Sequence, residues 1–413
     1  MRHLSERPLL VLLAAVNFTH IMDFMILMPL GPQLMRELSI GPAQFSWLVS
    51  AYTLAAGAVG LAAVLFLDRF DRRPLLLGTY AGFILGTLGC ALAHTHLTLL
   101  IARAVCGAFG GVCGALVLAS VSDLVPPARR AGGIGIVMTA FSVAAAVGVP
   151  FGLFLAQHFR WEAPFWLLAL VSTVIWTLMW FFLPHLRSHL ATGPRAAVSL
   201  KPLLELLVDA NVLRSIALMA ALVFGHFLII PMMSPYLVAN VGVPEERLSL
   251  VYLVGGIFTV YTAPRIGRLA DRRGRVEVFT VLVLSASVVT LVISHARPMP
   301  LPLVLALAGA FFVFASGRWV PAQAIMTLAV PASRRGAFLS LNGCVRDFMA
   351  GSTAALGGWM VTRTPAGPLE GYGWLGWLAL GANLLSLWIA RNIRPVDFGP
   401  VIDAAEPLAA TAS

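Results

Sequence analysis

The stretch Gly267-Arg268-Leu269-Ala270-Asp271-Arg272-Arg273-Gly274-Arg275 is a dense group of charges between two long apolar runs. A degraded copy, Leu67-Asp68-Arg69-Phe70-Asp71-Arg72-Arg73, lies 203 positions earlier and also separates two apolar runs. The interval is close to half of the 413 residues. The repeat therefore indicates that the chain consists of two related halves.

Composition places the chain in a lipid bilayer. Hydrophobic residues make up 59% of the sequence and charged residues 11%, whereas a soluble domain carries about 25% charge. A helix needs ~20 apolar residues to cross a bilayer, and about a dozen runs of that length occur. The net charge of +10 comes from arginines that punctuate these runs, so we interpret it as a topology signal and expect no nucleic-acid partner.

The apolar runs predict an all-α integral membrane protein with twelve transmembrane helices, six in each half. Helices 1 to 12 are predicted at 8–34, 44–66, 74–95, 97–122, 131–157, 163–183, 212–238, 247–269, 276–295, 300–327, 333–361 and 372–393. The predicted domains are an N-terminal six-helix bundle at 1–183, a cytoplasmic linker at 184–211, a C-terminal six-helix bundle at 212–395 and a polar tail at 396–413. Repeated halves of this kind are usual in secondary transporters.

Basic residues set the predicted orientation. If the N-terminus is cytoplasmic, the cytoplasmic segments hold 20 Lys and Arg residues and the opposite segments hold five, a bias that places both termini in the cytoplasm. Arg2 and Arg7 precede an apolar stretch as in a signal peptide. That stretch continues to about Leu34 without a small-residue cleavage site, so we predict a first membrane helix. We expect a multi-pass protein of the cell membrane, in a bacterium the inner membrane.

Several motifs together are specific for one family. The stretch from Gly267 to Arg275 fits its loop motif between helices 8 and 9, and the first copy keeps Asp68, Arg72 and Arg73 but has Val64 and Asp71 where glycine is usual. Arg103-Ala-Val-Cys-Gly107 and Gly148-Val-Pro150-Phe-Gly152 fit motifs of helices 4 and 5. With these residues the chain resembles the major facilitator superfamily, and within it the twelve-helix drug:proton antiporter branch. The resemblance implies two pseudo-symmetric six-helix bundles.

The resemblance also implies a function. It implies a monomeric secondary transporter that works by alternating access, with a small molecule and a proton as its partners. The proton gradient is the expected energy source and no other cofactor is expected, since no phosphate-binding loop for ATP appears. We predict proton-coupled efflux of a small organic compound, drug-like or sugar-like. Uptake of a sugar or organic acid, and a sensor that binds without transport, are the alternatives. No nucleophile–base or metal constellation favours an enzyme.

Asp23 and Arg103 are the predicted proton-coupling residues. Asp23 lies about 22 Å along helix 1, near mid-membrane, where a carboxylate needs a cavity or a partner. Arg103 in helix 4 reaches a similar depth, and helices 1 and 4 are close in the resembled family. We therefore predict that the two side chains interact and that Asp23 exchanges the proton. The alternative is that Arg103 extends toward the membrane surface and Asp23 only packs.

Five polar side chains and one methionine within the helices are candidates for lining a substrate cavity. They are His20, Met25, His226, Arg318, Arg346 and Asp347. His20 shares a face with Asp23, as a proton relay or as a structural histidine. Because adjacent residues do not face each other on a helix, we expect Asp347 to meet Arg318 rather than Arg346. That pair would either fix two helices or bind substrate.

The loop motifs predict a gate on the cytoplasmic side. Its candidate residues are Asp68, Arg72, Arg73, Asp123, Gly267, Asp271, Arg272, Gly274 and Arg275. Asp68 is expected near the start of helix 11 beside Arg334 and Arg335, where the helix dipole favours an acid. Asp271 is expected in the same role at helix 5, beside Arg129 and Arg130. Asp123 is a candidate partner for Arg72 or Arg73.

The helix 5 signature and the histidines complete the set of candidates. Gly148, Pro150 and Gly152 are expected to bend or tighten helix 5, because proline removes a backbone hydrogen bond. In the resembled family this region packs against the other half and limits leakage. His94 with His96 lacks further ligands, as does His185 with His189, so no metal site is predicted.

Overall fold

The computed structural model describes residues 5–64, 67–126, 129–187, 201–331 and 334–396. Helices dominate these ranges, and the predicted all-α membrane fold is confirmed. The middle of the predicted linker and nearly all of the predicted C-terminal tail lie outside the described residues.

The N-terminal half contains helices 1 to 6. Helix 1 is Glu6–Ile26 and, after a break, Gly31–Glu37; helix 2 is Pro42–Val64; helix 3 is Arg72–Ala91; helix 4 is His96–Leu124; helix 5 is Arg130–Val143, a π-helical turn Ala144–Gly148 and Val149–His158; helix 6 is Ala163–Phe182. A 3₁₀ turn, Leu67–Arg69, connects helices 2 and 3.

The C-terminal half repeats the pattern as helices 7 to 12. A linker helix, Lys201–Val208, precedes it. Helix 7 is Ala210–Phe227 and Ile230–Ala239; helix 8 is Leu248–Arg273 after the 3₁₀ turn Glu245–Arg247; helix 9 is Arg275–Ser294; helix 10 is Leu301–Phe311, a π-helical turn Phe312–Ser316 and Trp319–Leu328; helix 11 is Arg335–Met360; helix 12 is Tyr372–Arg391. A short antiparallel pair, β1 (Thr362–Arg363) and β2 (Leu369–Glu370), joins helices 11 and 12.

Within the described residues, eleven helices are long and apolar enough to cross a membrane. Helix 11 is the twelfth: its 26 residues are sufficient in length, but Arg346 and Asp347 make it less apolar. Helices 1 and 7, predicted as continuous, are each broken, and the breaks lie at equivalent points of the two halves. Proline explains both interruptions, because Pro29 and Pro32 lie at the first break and Pro231 follows the second.

Glycines allow helices to approach closely within the N-terminal half. A Cβ at Gly107 of helix 4 would overlap the main-chain oxygen of Tyr52 in helix 2, and one at Gly111 would lie 2.8 Å from Ala56 Cβ. Gly86 of helix 3 lies against Cys106 in the same way. Gly78 differs, because nothing lies within 4 Å of the Cβ that it lacks. Small residues thus act as packing surfaces, since apolar burial does not drive association in lipid.

The two halves meet along helices 2 and 11 and along helices 5 and 8. Gly351 of helix 11 lies against Leu54 and Thr53, and a Cβ at Gly358 would overlap Ser46. A Cβ at Gly256 of helix 8 would lie 2.5 Å from Ala146 Cα in the π-helical turn of helix 5. These contacts bring the backbones of the two halves together near the centre of the molecule.

The halves also touch at the side opposite the arginine-rich loops. Arg36 at the end of helix 1 pairs with Glu245 before helix 8, and Gln157 Nε2 of helix 5 donates to the main-chain oxygen of Glu245 at 2.8 Å. A Cβ at Gly31 of helix 1 would lie 2.9 Å from Pro235 of helix 7. Near the middle of helix 11, the side chain of Arg346 is nevertheless 55% exposed. The halves are therefore in contact on this side, and we call the exposed space beside Arg346 the central cavity.

The close contact of helices 2 and 4 predicts unequal effects of the same substitution at two glycines. Gly107→Ala should destabilise the fold by about 1–3 kcal/mol, because the added methyl overlaps a backbone oxygen that cannot move without helix 2. Gly78→Ala, the matched control, should be neutral or stabilising by about 0.5–1 kcal/mol, because alanine is the better helix residue. Thermal unfolding with a thiol-reactive fluorogenic dye measures both, since all four cysteines are buried. Equal melting temperatures for the two variants would contradict the expected close contact.

Candidate functional site

A buried ion pair joins helices 1 and 4. Arg103 Nη1 lies 2.6 Å from Asp23 Oδ2 and 3.1 Å from the main-chain oxygen of Asp23. Neither side chain has exposed surface. The predicted contact is confirmed, because helix 1 brings the carboxylate and helix 4 brings the guanidinium to the same depth.

Helices 2 and 3 complete the surroundings of this pair. The Arg103 guanidinium lies over the ring of Tyr52 from helix 2, 4.6 Å from the ring centroid. Thr87 of helix 3 donates to Asp23 Oδ1 at 3.3 Å. Within the described part of the chain, Nε and Nη2 of Arg103 have no hydrogen-bond partner. The guanidinium therefore depends strongly on Asp23, and removal of either charge leaves the other uncompensated in a dry environment.

His20 lies one turn before Asp23 and has other partners. Its Nε2 lies 2.9 Å from Asn17 Oδ1, and Asn17 donates to the main-chain oxygen of Val137 in helix 5. These contacts favour the structural histidine over the proton relay. Met25 is partly buried and packs against the hydrophobic core, so the predicted substrate contact of Met25 stays a prediction.

The predicted contact between Asp347 and Arg318 is wrong. Arg346 Nε lies 2.8 Å from Asp347 Oδ1, so two residues adjacent in sequence form the pair. The pair is partly exposed to the central cavity, whereas Arg318 is 2% exposed. Arg318 points into the C-terminal bundle instead. The prediction assumed that adjacent residues on a helix cannot meet, but the long side chain of Arg346 reaches Asp347, and Arg318 faces Asn383.

Arg318 is held by neutral groups. Its Nη1 donates to Asn383 Oδ1 of helix 12 at 2.5 Å, and Asn383 Nδ2 donates to Ser287 Oγ of helix 9 at 2.9 Å. His226 of helix 7 lies nearby, with its ring stacked on Phe311 at 6.1 Å between centroids. Both candidates therefore belong to one polar region inside the C-terminal half.

The first loop motif makes some of the contacts predicted for it. Arg72 Nε lies 3.5 Å from Asp123 Oδ2, which confirms the predicted pairing of Asp123. Arg73 donates to the main-chain oxygen of Trp180 in helix 6 at 2.6 Å. The side chain of Asp68 lies outside the described residues, so its contact with helix 11 stays a prediction.

The second loop motif makes a tight connection, and among the described residues its Asp271 forms no ion pair with helix 5. Gly274 has φ of 97°, a conformation that favours glycine, and it separates helices 8 and 9. Asp271 Oδ1 lies 3.7 Å from Arg275 Nη2 and its side chain is 70% exposed. Arg129, one of the expected partners of Asp271, pairs with Glu6 of helix 1 at 2.8 Å. The predicted contact of Asp271 with helix 5 is wrong, because Asp271 is exposed and lies near Arg275 of its own loop instead.

Two other residues of this motif, Gly267 and Arg272, lie near the end of helix 8. A Cβ at Gly267 would lie 3.6 Å from Val320 of helix 10, an ordinary packing distance. Arg272 is exposed in the last turn of the helix, where a cation is favoured by the helix dipole. The predicted gating role of both residues stays a prediction.

Asp71, a departure from the family motif, has a role that the sequence reading missed. Its side chain accepts a hydrogen bond from Arg73 N and so caps helix 3. It also accepts from His185 Nδ1 at 2.6 Å, Leu186 N at 3.1 Å and Arg187 Nε at 2.8 Å. Burial by itself raises the pKa of Asp71, but these four hydrogen bonds outweigh it and hold the pKa well below its usual range. An aspartate directly before a helix is a capping signal that the sequence contains.

The helix 5 signature contacts both halves of the protein. A Cβ at Gly148 would lie 2.7 Å from Met22 Sδ, and one at Gly152 would lie 2.7 Å from Ile26 Cδ1, so both glycines face helix 1 of the same half. Gly148 ends the π-helical turn, and Pro150 stands in the first turn of the following helix. The region around them nevertheless packs against the other half as expected, at Gly256 of helix 8. Ala145 and Ala146 make that contact.

Two pseudo-symmetric six-helix bundles around a central cavity, with charges buried in their helices, define a transporter of the membrane. The sequence model of the Major Facilitator Superfamily matches residues 13–355 and 219–404. The chain belongs to this superfamily, which confirms the resemblance, and it is therefore a transporter rather than an enzyme. Among the described residues no group of three or more His, Cys, Asp or Glu side chains is arranged to hold a metal ion.

Relatives and solved structures agree with this assignment. The chain is 25% identical over 335 residues to the MFS-type transporter YceJ of Bacillus subtilis (strain 168), covering 80% of this chain and 83% of the relative. It is 26% identical over 249 residues to a probable sugar efflux transporter of Helicobacter pylori (strain P12), covering 60% of this chain and 62% of the relative.

Among solved structures, the fold is similar to a D-xylose-proton symporter, with a TM-score of 0.75 at 15% identity over 92% of this chain and 96% of that one. It is also similar to a bacterial homologue of the human lysosomal transporter Spinster in an inward-facing, unoccupied conformation, with a TM-score of 0.70 at 14% identity over 94% of this chain and 97% of that one. These identities are low, so the similarity concerns the fold alone.

The contacts of Asp71 predict that the two loop motifs tolerate the same substitution unequally. Asp71→Ala should lower stability by about 1–2 kcal/mol, because it removes a helix cap together with the anchor of the segment after helix 6. Asp271→Ala, the control in the second motif, should change stability by less than about 0.5 kcal/mol, because the side chain is exposed. Thermal unfolding at neutral pH measures both. A larger loss for Asp271→Ala would show that the first motif does not hold this segment.

Proposed function

We propose that this transporter exports a small organic compound in exchange for protons, as a monomer in the cell membrane with both termini in the cytoplasm. The observation that supports this most directly is the fully buried pair of Asp23 and Arg103. Asp23 lies within one turn of the break in helix 1, a usual place for a coupling-ion site in transporters. The proton gradient supplies the energy, and no other cofactor is needed.

The chemistry of coupling follows from the surroundings of Asp23. Burial disfavours the charged carboxylate, whereas Arg103 favours it, so a proton and Arg103 compete for the same group. Protonation weakens the contact between helices 1 and 4, and the charge returns when the proton leaves. A change of this kind favours one access state in the protonated form and the other in the charged form.

The direction of transport is proposed from a relative. The Helicobacter pylori relative is named a probable sugar efflux transporter, which supports export. Uptake of a sugar or organic acid is the alternative direction, and a sensor that binds without transport is the alternative class. The gating role of Asp68, Arg72 and their partners belongs to the same proposal, since contacts at the arginine-rich loops must form when that side closes.

Substitution of Asp23 tests the coupling. A screen of an overexpressing strain against drugs and sugars first supplies a transported compound. In proteoliposomes, Asp23→Asn should abolish accumulation of that compound driven by a pH gradient, because asparagine imitates the protonated acid permanently. Exchange without net proton movement should largely survive. Asp347→Asn is the control, since its partner Arg346 is half-exposed and the loss should reduce affinity or stability rather than coupling.

Three results would count against this reading. If Asp23→Asn accumulates the compound at the wild-type rate, another group carries the proton, and Asp347 becomes the first candidate. If the wild-type protein moves no compound in either direction, it is a sensor. If a pH gradient drives accumulation toward the cytoplasm, it is an importer.

The proposed orientation predicts which loops are accessible from outside. Single cysteines at Ser39 and Thr364 should react with a membrane-impermeant maleimide in intact cells. Cysteines at Arg187 and Asn392 should react only after the membrane is permeabilised, because the arginine-rich loops remain in the cytoplasm. The wild-type protein is the background, since its four cysteines are buried. Reaction at Arg187 in intact cells would reverse the orientation.

A further inference from the structure

The charges within the membrane helices do not balance. Asp23 pairs with Arg103, and Asp347 pairs with Arg346. Arg318 has no carboxylate partner among the described residues, although it is 2% exposed. Within the described ranges the one side-chain hydrogen bond of Arg318 goes to the neutral amide of Asn383, and its Nε has no partner. A buried guanidinium, which cannot lose its proton in a protein, is costly without a counter-charge.

His226 stands beside this arginine with an unused ring nitrogen. Its Nδ1 is buried and has no hydrogen-bond partner within the described ranges. The ring packs against Phe311 and against Trp319, the residue after Arg318, with centroids 6.1 and 6.3 Å apart. A Cβ at Gly225, just before His226, would lie 2.9 Å from the Asn383 oxygen that accepts from Arg318. Helix 7 and the Arg318 side chain are therefore immediate neighbours.

The position of His226 connects this region with the central cavity. It lies 203 positions after Asp23, the same interval that separates the two loop motifs, so the two residues are counterparts in the two halves. The ring of Phe227, the next residue, lies 6.1 Å from the ring of Phe24 in helix 1. Helix 7 breaks directly afterwards, and its second segment starts at Ile230 with the positive end of its dipole near this region. His226 and Trp319 are both partly exposed.

We propose that Arg318 binds a carboxylate of the transported compound, with His226 as a second polar contact, so that the substrate is an organic monoanion. The inference rests on the proposed transport function and adds the chemical class of the substrate. One negative charge cancels the one unpaired positive charge, whereas a dianion such as a phosphate monoester leaves an excess. The planar guanidinium is suited to a carboxylate, which it binds through two parallel hydrogen bonds. The ligand reaches Arg318 past His226 and Trp319.

A binding experiment with matched pairs of compounds tests the substrate class without transport. The probes are nicotinate with nicotinamide, benzoate with benzamide, and gluconate with gluconamide. Each pair differs only in the exchange of a carboxylate for a neutral amide. Ligand binding raises the melting temperature of the purified full-length protein, and its concentration dependence gives Kd. At least one carboxylate should stabilise the protein while its amide does not.

Two variants then locate the site. Arg318→Gln should weaken binding of that carboxylate about tenfold or more, and Arg318→Lys should restore part of it. Arg265→Gln is the control, because this arginine of helix 8 already lies over the ring of Tyr261 in its own helix, and its Kd should stay near the wild-type value. Arg346→Gln is measured beside them as the rival site, because this arginine is partly exposed. If Arg318→Gln does not fold, the comparison of carboxylates with amides on the wild-type protein still decides the substrate class.

The outcomes separate this inference from the proposed function. Absence of a carboxylate preference in all three pairs overturns it, as does loss of binding in Arg346→Gln but not in Arg318→Gln. Neither result affects proton-coupled export of a neutral compound. Conversely, if the protein binds a carboxylate at Arg318 but shows no proton-driven flux in proteoliposomes, that result supports the carboxylate site and contradicts the proposed proton-coupled transport.

Discussion

The contact between Asp23 and Arg103 is the constraint on which the N-terminal half depends. A single charge near the bilayer centre costs roughly 2.5–3.5 kcal/mol on insertion scales, and this half contains one of each sign with no exposed surface. Pairing fixes the rotation of helix 1 relative to helix 4. Tyr52 and Thr87 extend the arrangement to helices 2 and 3. Four helices are thus arranged around one ion contact, and its strength depends on whether Asp23 carries a proton.

The C-terminal half does not pair its buried charge with an opposite charge. Its buried arginine, Arg318, reaches an amide instead of a carboxylate, and the counterpart of Asp23 in helix 7 is His226. A proton site and a ligand site have opposite requirements. The first needs an acid that gains and loses charge against a fixed partner, and the second needs a fixed charge without a partner. In the proposed mechanism the two halves meet these requirements separately, so proton and substrate would not compete for one residue.

Depth and rotation explain which contacts could be predicted from the sequence. Counting residues along a helix gives the depth of a side chain. For Asp23 and Arg103 the resemblance added that helices 1 and 4 are neighbours, so their contact could be predicted. For Arg318 and Asp347 the rotation about each helix was missing, and the actual partners are Asn383 and Arg346. The helix count and most boundaries followed from apolar runs alone. Prolines mark the breaks in helices 1 and 7, although both helices were predicted as continuous. An acid directly before helix 3 marks the cap at Asp71, which was not predicted.

Two adjacent glycines of helix 8 show how the halves are able to move against each other. Gly255 lies against Phe312 in the π-helical turn of helix 10, whereas Gly256 lies against Ala146 in the π-helical turn of helix 5. Neighbouring residues of helix 8 therefore contact two π-helical turns. One turn belongs to helix 10 of the same half, and the other belongs to helix 5 of the other half. Turns of this kind are frequent at functional sites because they locally loosen the regular hydrogen bonding of a helix. At Gly256 helix 8 contributes no side chain to the contact, so the backbones of helices 5 and 8 approach closely there. Arg36 and Glu245 connect the halves beyond this point, so any conformation that separates the halves on that side must break this ion pair.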